Sequence, residues 1–145
     1  MREILFRAKR ADSGTWIEGT YLNDEEIAYI SGFIYNDTIF GFEKILFKCQ
    51  VIPETVSQFT GLYDKNGVRI FEGDIIAYRK GCLAVSFDFA SFGFLFEGYN
   101  GEEGYSHVIP FNDYENGIYI DRKTYQIDYE IVGNVFDNSD LLKGE

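Results

Sequence analysis

One stretch constrains this chain more than any other: Gln58-Phe59-Thr60-Gly61-Leu62-Tyr63-Asp64-Lys65-Asn66-Gly67-Val68-Arg69-Ile70-Phe71-Glu72-Gly73-Asp74-Ile75-Ile76. Asp64-Lys65-Asn66-Gly67 fits a type I turn followed by a left-handed residue. The Asp bonds its own backbone, Asn tolerates the third position, and Gly takes positive φ without a Cβ clash. The flanking runs then pair as a β-hairpin, and Glu72-Gly73-Asp74 makes a second corner before another strand. This is architecture rather than chemistry. Nothing in it, or elsewhere in the chain, supplies a recognisable catalytic constellation.

The rest of the chain fits a β-rich molecule. Its 145 residues are most simply one domain, of a size that buries roughly 68–70% of the unfolded surface without disulfides or metals. Hydrophobic residues make up 46%, with 14 Phe and 11 Tyr against 15 Gly and 2 Pro. Aromatic richness with scattered glycine argues against disorder and for strands joined by tight turns.

Glu3 to Lys9 alternates, with Ile4, Phe6 and Ala8 facing one way. Asp12-Ser13-Gly14 turns it, and Trp16 to Leu22 returns as a hairpin partner. Asn23 to Glu26 is a polar tip. Residues 27–47 read as short strands split at Ser31-Gly32 and Gly41, with a turn signal at Asn36-Asp37. Pro53 to Ser57 suits one helical turn. Strands follow at Ile75–Arg79, Leu83–Asp88, Phe94–Tyr99, Tyr105–Phe111 and Tyr119–Arg122. Lys80-Gly81 is a tight turn, and Asn100 to Gly104 is a loop. Tyr125, Ile127, Tyr129 and Ile131 alternate strictly with Gln126, Asp128, Glu130 and Val132, the cleanest strand pattern in the chain, ending at Gly133-Asn134. Asn138-Ser139-Asp140-Leu141-Leu142 closes with a helical turn capped by Asn138 or Ser139. No window carries a sustained 3.6-residue apolar period, so no long helix is expected. No segment approaches the roughly 20 apolar residues of a spanning helix.

Charge excludes some partners. The net charge is −11, and residues 97–145 hold 11 acids and 3 bases. Such a surface repels phosphates and anionic lipid and attracts basic partners. Arg2, Arg7, Lys9 and Arg10 cluster near the N-terminus among aromatics, the pairing used by single-strand binders. Four bases in a chain this acidic are too thin a footprint, which argues against direct nucleic-acid binding.

Other chemistry is weakly signalled. His107 is the only histidine, so any Ser/His/Asp or Cys/His site must use it, and no nucleophile elbow accompanies it. Cys49 and Cys82 lack CxxC or Cys/His spacing. Without a secretory signal they read as reduced cytoplasmic thiols that pack as small hydrophobes. Glu102-Glu103 and Asp137-Asn138-Ser139-Asp140 are oxygen donors without an EF-hand pattern, and read as solvated loops. Gly98 to Gly104 is no P-loop, because no Gly-Lys-Ser/Thr follows and two acids would repel phosphate. No catalytic, cofactor-binding or metal-ligating residue is therefore assigned, and no cofactor is expected.

Three blocks resemble the YopX family of bacteriophage and prophage proteins: Met1 to Ala8, Gln58-Phe59-Thr60-Gly61-Leu62-Tyr63-Asp64-Lys65-Asn66-Gly67 through Glu72-Gly73-Asp74-Ile75-Ile76, and Tyr129-Glu130-Ile131-Val132-Gly133-Asn134-Val135-Phe136-Asp137-Asn138. They fall in family order and bracket nearly the whole chain. The resemblance implies a β-rich fold, homo-oligomers and expression in the bacterial cytoplasm during a phage or prophage programme. It implies no activity. Gly61, Gly67, Gly73 and Gly133 read as turn or bulge positions, and Asp74 as a bond to the backbone of its corner.

The expected object is one mostly-β domain over residues 1–145, with few short helical turns. Residues 57–145 form a small, strongly bent SH3-like β-barrel, and residues 1–56 an N-terminal β-meander. The expected role is a non-enzymatic phage accessory protein that binds as a homo-oligomer, because a chain this small cannot hide all its Phe and Tyr rings. Alternatives are an acidic decoy or inhibitor of a host nucleic-acid-handling protein, and a carboxylate-based hydrolase.

Overall fold

The computed structural model describes residues 3–78, 81–88, 93–99, 106–110 and 120–143; for 87–88, 93–99, 106–110 and 143 only the backbone is described. The chain divides into two compact units, Met1–Gln58 and Phe59–Glu145.

The first unit is an antiparallel meander. Strands β1 (Phe6–Lys9), β2 (Trp16–Asp24), β3 (Ile27–Thr38) and β4 (Gly41–Gln50) pair in sequence order, and β1 also pairs with Ser57 and Gln58 at the start of β5 (Ser57–Tyr63). The β1–β2 turn is the expected one. Gly14 sits at φ 72, and its N–H donates to the Arg10 carbonyl at 2.9 Å. Ala8, Ala28, Ile30 and Val51 are buried, with Phe6, Ile17, Tyr21, Phe47 and Val56 packed against them. One isolated bridge, Arg10 opposite Val51, ties the end of β1 to the chain after β4. Pro53–Thr55 forms a single 3₁₀ turn, in the predicted place.

Two expectations fail here. Strand β1 begins at Phe6, and Ile4 is exposed. Residues 27–47 are not short strands but one long hairpin in unbroken register from Tyr29 opposite Gln50 to Thr38 opposite Gly41. Asn36-Asp37 lies within β3, and the turn is at Ile39-Phe40. Gly32 does not interrupt the strand; a Cβ there would stand 2.9 Å from the Phe47 ring. It is glycine because the ring of the opposite residue occupies the space.

In the second unit β5 pairs with β6 (Arg69–Phe71) and, in parallel, with β12 (Gln126–Ile127), which pairs with β11 (Ile120–Asp121). A five-stranded sheet has the order β10 (Ser106–Pro110), β9 (Gly93–Tyr99), β8 (Gly81–Asp88), β7 (Asp74–Tyr78), β13 (Ile131–Asn134). Leu62 of β5, Ile70 of β6 and Ile127 of β12 form one buried cluster with Ile76, Tyr78, Leu83 and Val85 of the five-stranded sheet, the core of this unit. Among the described residues no pairing closes either sheet into a barrel. Strands β10 and β13 remain the two ends of an open ladder, so the molecule is mostly β but the SH3-like closure is not seen.

The featured hairpin forms as expected. Gly67 sits at φ 80 and donates to the Asp64 carbonyl at 3.0 Å. The buried Asp64 carboxylate accepts from Asn66 N at 2.8 Å and Val68 N at 3.0 Å through Oδ1, and from Ile131 N at 3.1 Å through Oδ2. Asp74 Oδ2 accepts from Phe71 N at 2.8 Å across the Gly73 corner, where φ is 87.

The clean alternation at Tyr125–Val132 does not make one strand. Tyr125 has φ 57, and the chain leaves β12 after Ile127 and resumes pairing at Ile131. The segment changes partners. Tyr125 O accepts from Tyr63 N beside β5, and Glu130 O accepts from Ala77 N beside β7. A single extended strand cannot serve both edges.

The closing 3₁₀ turn, Ser139–Lys143, is present, but the Asn138 side chain turns away from it. Its Oδ1 accepts from Asn134 N at 3.2 Å. Gly133 makes room for that side chain, since a Cβ there would lie 2.6 Å from Asn138 Oδ1.

Candidate interaction surface

Strand β2 pairs with β3 only from Ile27 to Ser31. Beyond Gly32 the β3–β4 hairpin continues as a two-stranded ribbon. Isolated two-stranded ribbons are marginal in water unless a face is covered. Alternation puts Phe33, Tyr35, Phe42 and Leu46 on one face of this ribbon and Ile34 and Ile45 on the other. All six are exposed, and at the tip Ile39 and Phe40 are each 93% exposed. The face with Ile34 and Ile45 continues the stripe of Ile30 and Phe47 that packs in the core. The apolar surface therefore runs on past the point where the unit covers it.

Lysines border this surface. Lys44 Nζ lies 3.9 Å from the Phe33 ring centroid, and Lys48 Nζ 4.1 Å from that of Tyr29. Each ammonium is held on a π face. Between Ile27 and Gln50 stand two acids, Asp37 and Glu43, and these two lysines. The hairpin is electrically neutral within a chain of net charge −11.

The candidates raised by sequence fall elsewhere. His107 lies in β10 opposite Gly98, with only its backbone described. Glu102 and Glu103 lie outside the described residues, as does the loop from Asn100 to Gly104. Asp137 Oδ2 accepts from Asn134 Nδ2 at 3.1 Å, so its loop is tied by its own side chains. The N-terminal bases separate. Arg7 and Lys9 lie 4.7 and 5.5 Å from the Trp16 ring centroid, while Arg10 pairs with Asp12 at 2.8 Å; Arg2 is outside the described residues. Cys49 and Cys82 are half-buried thiols, and burial pushes the Cys82 thiol up, away from thiolate reactivity. Among the described residues no three His, Cys, Asp or Glu side chains gather to hold a metal ion, and no helix is long and apolar enough to cross a membrane.

The hairpin surface was missed from sequence, although a signal was there. Phe33-Ile34-Tyr35, Ile39-Phe40 and Ile45-Leu46 are adjacent apolar residues. On a strand, adjacent positions face opposite ways, so both faces of one ribbon had to be apolar.

The chain matches the YopX protein family over residues 5–143. It belongs to the YopX family. A crystal structure of protein EF1440 from Enterococcus faecalis is similar to it, with a TM-score of 0.58 and 22% identity, covering 98% of this chain and 99% of that one. At that identity the likeness bears on the fold alone. No curated protein matches.

Proposed function

We propose that this YopX-family chain is a non-enzymatic binding and assembly module that works as a homo-oligomer, in the bacterial cytoplasm as a phage or prophage accessory protein. The exposed apolar ribbon at residues 33–46 carries the reading. At roughly 150–250 Å² per aromatic side chain, the exposed fractions of Phe33, Tyr35, Phe42 and Leu46 present on the order of 500 Å² on one face of the ribbon. That is in the roughly 300–600 Å² range of the largest, often functional, patch on a typical monomer, and the exposed tip residues Ile39 and Phe40 extend it toward the about 800 Å² per partner of a standard interface.

A second copy of this chain fits the surface best. Two strongly acidic chains repel, and their contact is least costly where each is neutral, which is this hairpin. A basic partner would find no excess of acid there. The buried carboxylates Asp64 and Asp74 accept backbone N–H groups, a structural use that favours a non-enzymatic role. The phage setting and the cytoplasmic location rest on the character of the family.

Sedimentation velocity tests this. The wild type is expected to sediment as an oligomer at micromolar concentration. Phe40→Ser/Phe42→Ser is expected to sediment as a monomer with an unchanged circular dichroism spectrum. A wild-type monomer at high micromolar concentration would refute the proposal.

A further inference from the structure

We infer that the second copy docks by strand addition along the outer edge of β4, about a two-fold axis that sets Ile45 opposite Ile45 of the second copy. This rests on the homo-oligomer reading above and adds the edge, the register and the symmetry.

Strand β4 is ten residues long, has no proline, and runs against β3 without a bulge. Among the described residues no strand pairs with its other side. A long, flat, apolar edge is a template for another strand, and natural proteins cover or blunt such edges.

The hydrogen bonds at the end of β4 show which residues face outward. Val51 N donates to Ala28 O at 3.0 Å, toward β3. Gln50 O accepts from Ala11 N at 2.9 Å, and Ile52 N donates to Lys9 O at 2.8 Å, both on the opposite side. These directions alternate along a strand. Phe42, Lys44, Leu46 and Lys48 therefore turn their N–H and C=O groups outward, and the outward carbonyl of Gln50 is already used.

An antiparallel addition about an axis normal to the sheet preserves the faces, so even residues meet even and odd meet odd. Three registers use most of the edge. With Lys44 opposite itself, two ammonium groups face each other and Lys48 meets Phe40 in the turn. With Leu46 opposite itself, Lys44 faces Lys48 twice, and Phe42 meets Gln50, whose carbonyl Ala11 occupies. With Ile45 opposite itself, Lys44 meets Leu46 and Phe42 meets Lys48. Every outward backbone group then has a partner and no like charges are opposed. The Phe42–Lys48 pair repeats between copies the lysine-on-ring contact that Lys48 makes with Tyr29. The outer edge of β3 past Ser31 is a poorer template, being shorter and carrying Gly32, Asn36 and Asp37.

The test is cysteine cross-linking of the full chain in a Cys49→Ser/Cys82→Ser background, with sedimentation of each unoxidised variant alongside. Opposed Ile45 residues form a non-hydrogen-bonded pair with Cα atoms about 4.5 Å apart, within the roughly 4.4–6.8 Å that a disulfide spans. Ile45→Cys should oxidise to a covalent dimer at least about tenfold faster than Lys44→Cys, with Tyr35→Cys, on β3, remaining uncross-linked. Ile45→Lys, which sets like charges on the axis, should weaken association about tenfold or more. Oligomers in which Ile45→Cys oxidises no faster than Lys44→Cys, or in which Tyr35→Cys cross-links, would overturn the edge and register while leaving self-association standing. Monomers throughout would overturn both.

Discussion

Changing Asp64 to Asn should cost the second unit far more than one conservative substitution on a turn. Asp64 is 1% exposed. Its Oδ1 closes the hairpin turn on Asn66 N and Val68 N, while Oδ2 accepts from Ile131 N, distant in sequence. Asn keeps one oxygen for the turn and sets an NH₂ group against the Ile131 N–H. A hydrogen bond to a charged acceptor contributes about 1.5–3 kcal/mol, and a buried donor left unsatisfied costs about 1–3 kcal/mol. A loss of about 2–3 kcal/mol is expected. With a urea m-value of roughly 1–3 kcal/mol/M, the midpoint should fall by about 1 M. Asp64→Ala should cost about 1 kcal/mol more; Asn66 and Val68 are exposed, so water replaces most of what their N–H groups lose. Urea denaturation gives the energy, and amide hydrogen exchange locates it: in Asp64→Asn the Ile131 amide should lose protection while the turn amides keep theirs. A midpoint within about 0.2 M of wild type, or unchanged protection at Ile131, would refute the idea that Asp64 joins hairpin to strand.

Gly19→Ala should destabilise the first unit by about 1–3 kcal/mol in thermal or urea unfolding, because its Cβ would collide with the backbone carbonyl of Ser31 on the neighbouring strand. Gly67→Val should cost about 1 kcal/mol or more by the same assay, since φ 80 is strained for a β-branched residue. Burial raises the pKa of Glu72 above its ordinary 4.5. The folded state thus holds the proton more tightly than the unfolded one, and stability falls as pH rises from the ordinary carboxylate range through the raised value. Glu72→Gln should therefore raise Tm at pH 7, with the gain shrinking as pH falls from the raised value toward the ordinary 4.5 and levelling off below it; a gain that is constant with pH would exclude the charge as its cause.

The turns were legible because turn chemistry is local. Asp64 to Gly67 and the Gly73 corner each depend on a few adjacent residues, and both formed as read. Asp74 bonds its corner as read, but the reach of Asp64 to Ile131 left no mark in sequence, because the two are brought together only by folding. Gly32 looks like a break, but in the folded chain it is a space filled by Phe47. Gly133 stands, as read, at a register shift in the pairing of β13 with β7, and it also makes room for the Asn138 side chain.

What the sequence determined by itself was the β character, the turns at Asp12–Gly14, Asp64–Gly67 and Gly73, and the family, because side-chain period and backbone sterics act over two to four residues. What the tertiary structure alone decided was which edges pair, and with that three outcomes. The perfect alternation at Tyr125–Val132 is divided between two strand edges, the ladder does not close into a barrel among the described residues, and the most apolar hairpin of the first unit is exposed on both faces. Periodicity records which way a side chain points, but a strand's partner is set by hydrogen-bonding groups that every residue carries alike.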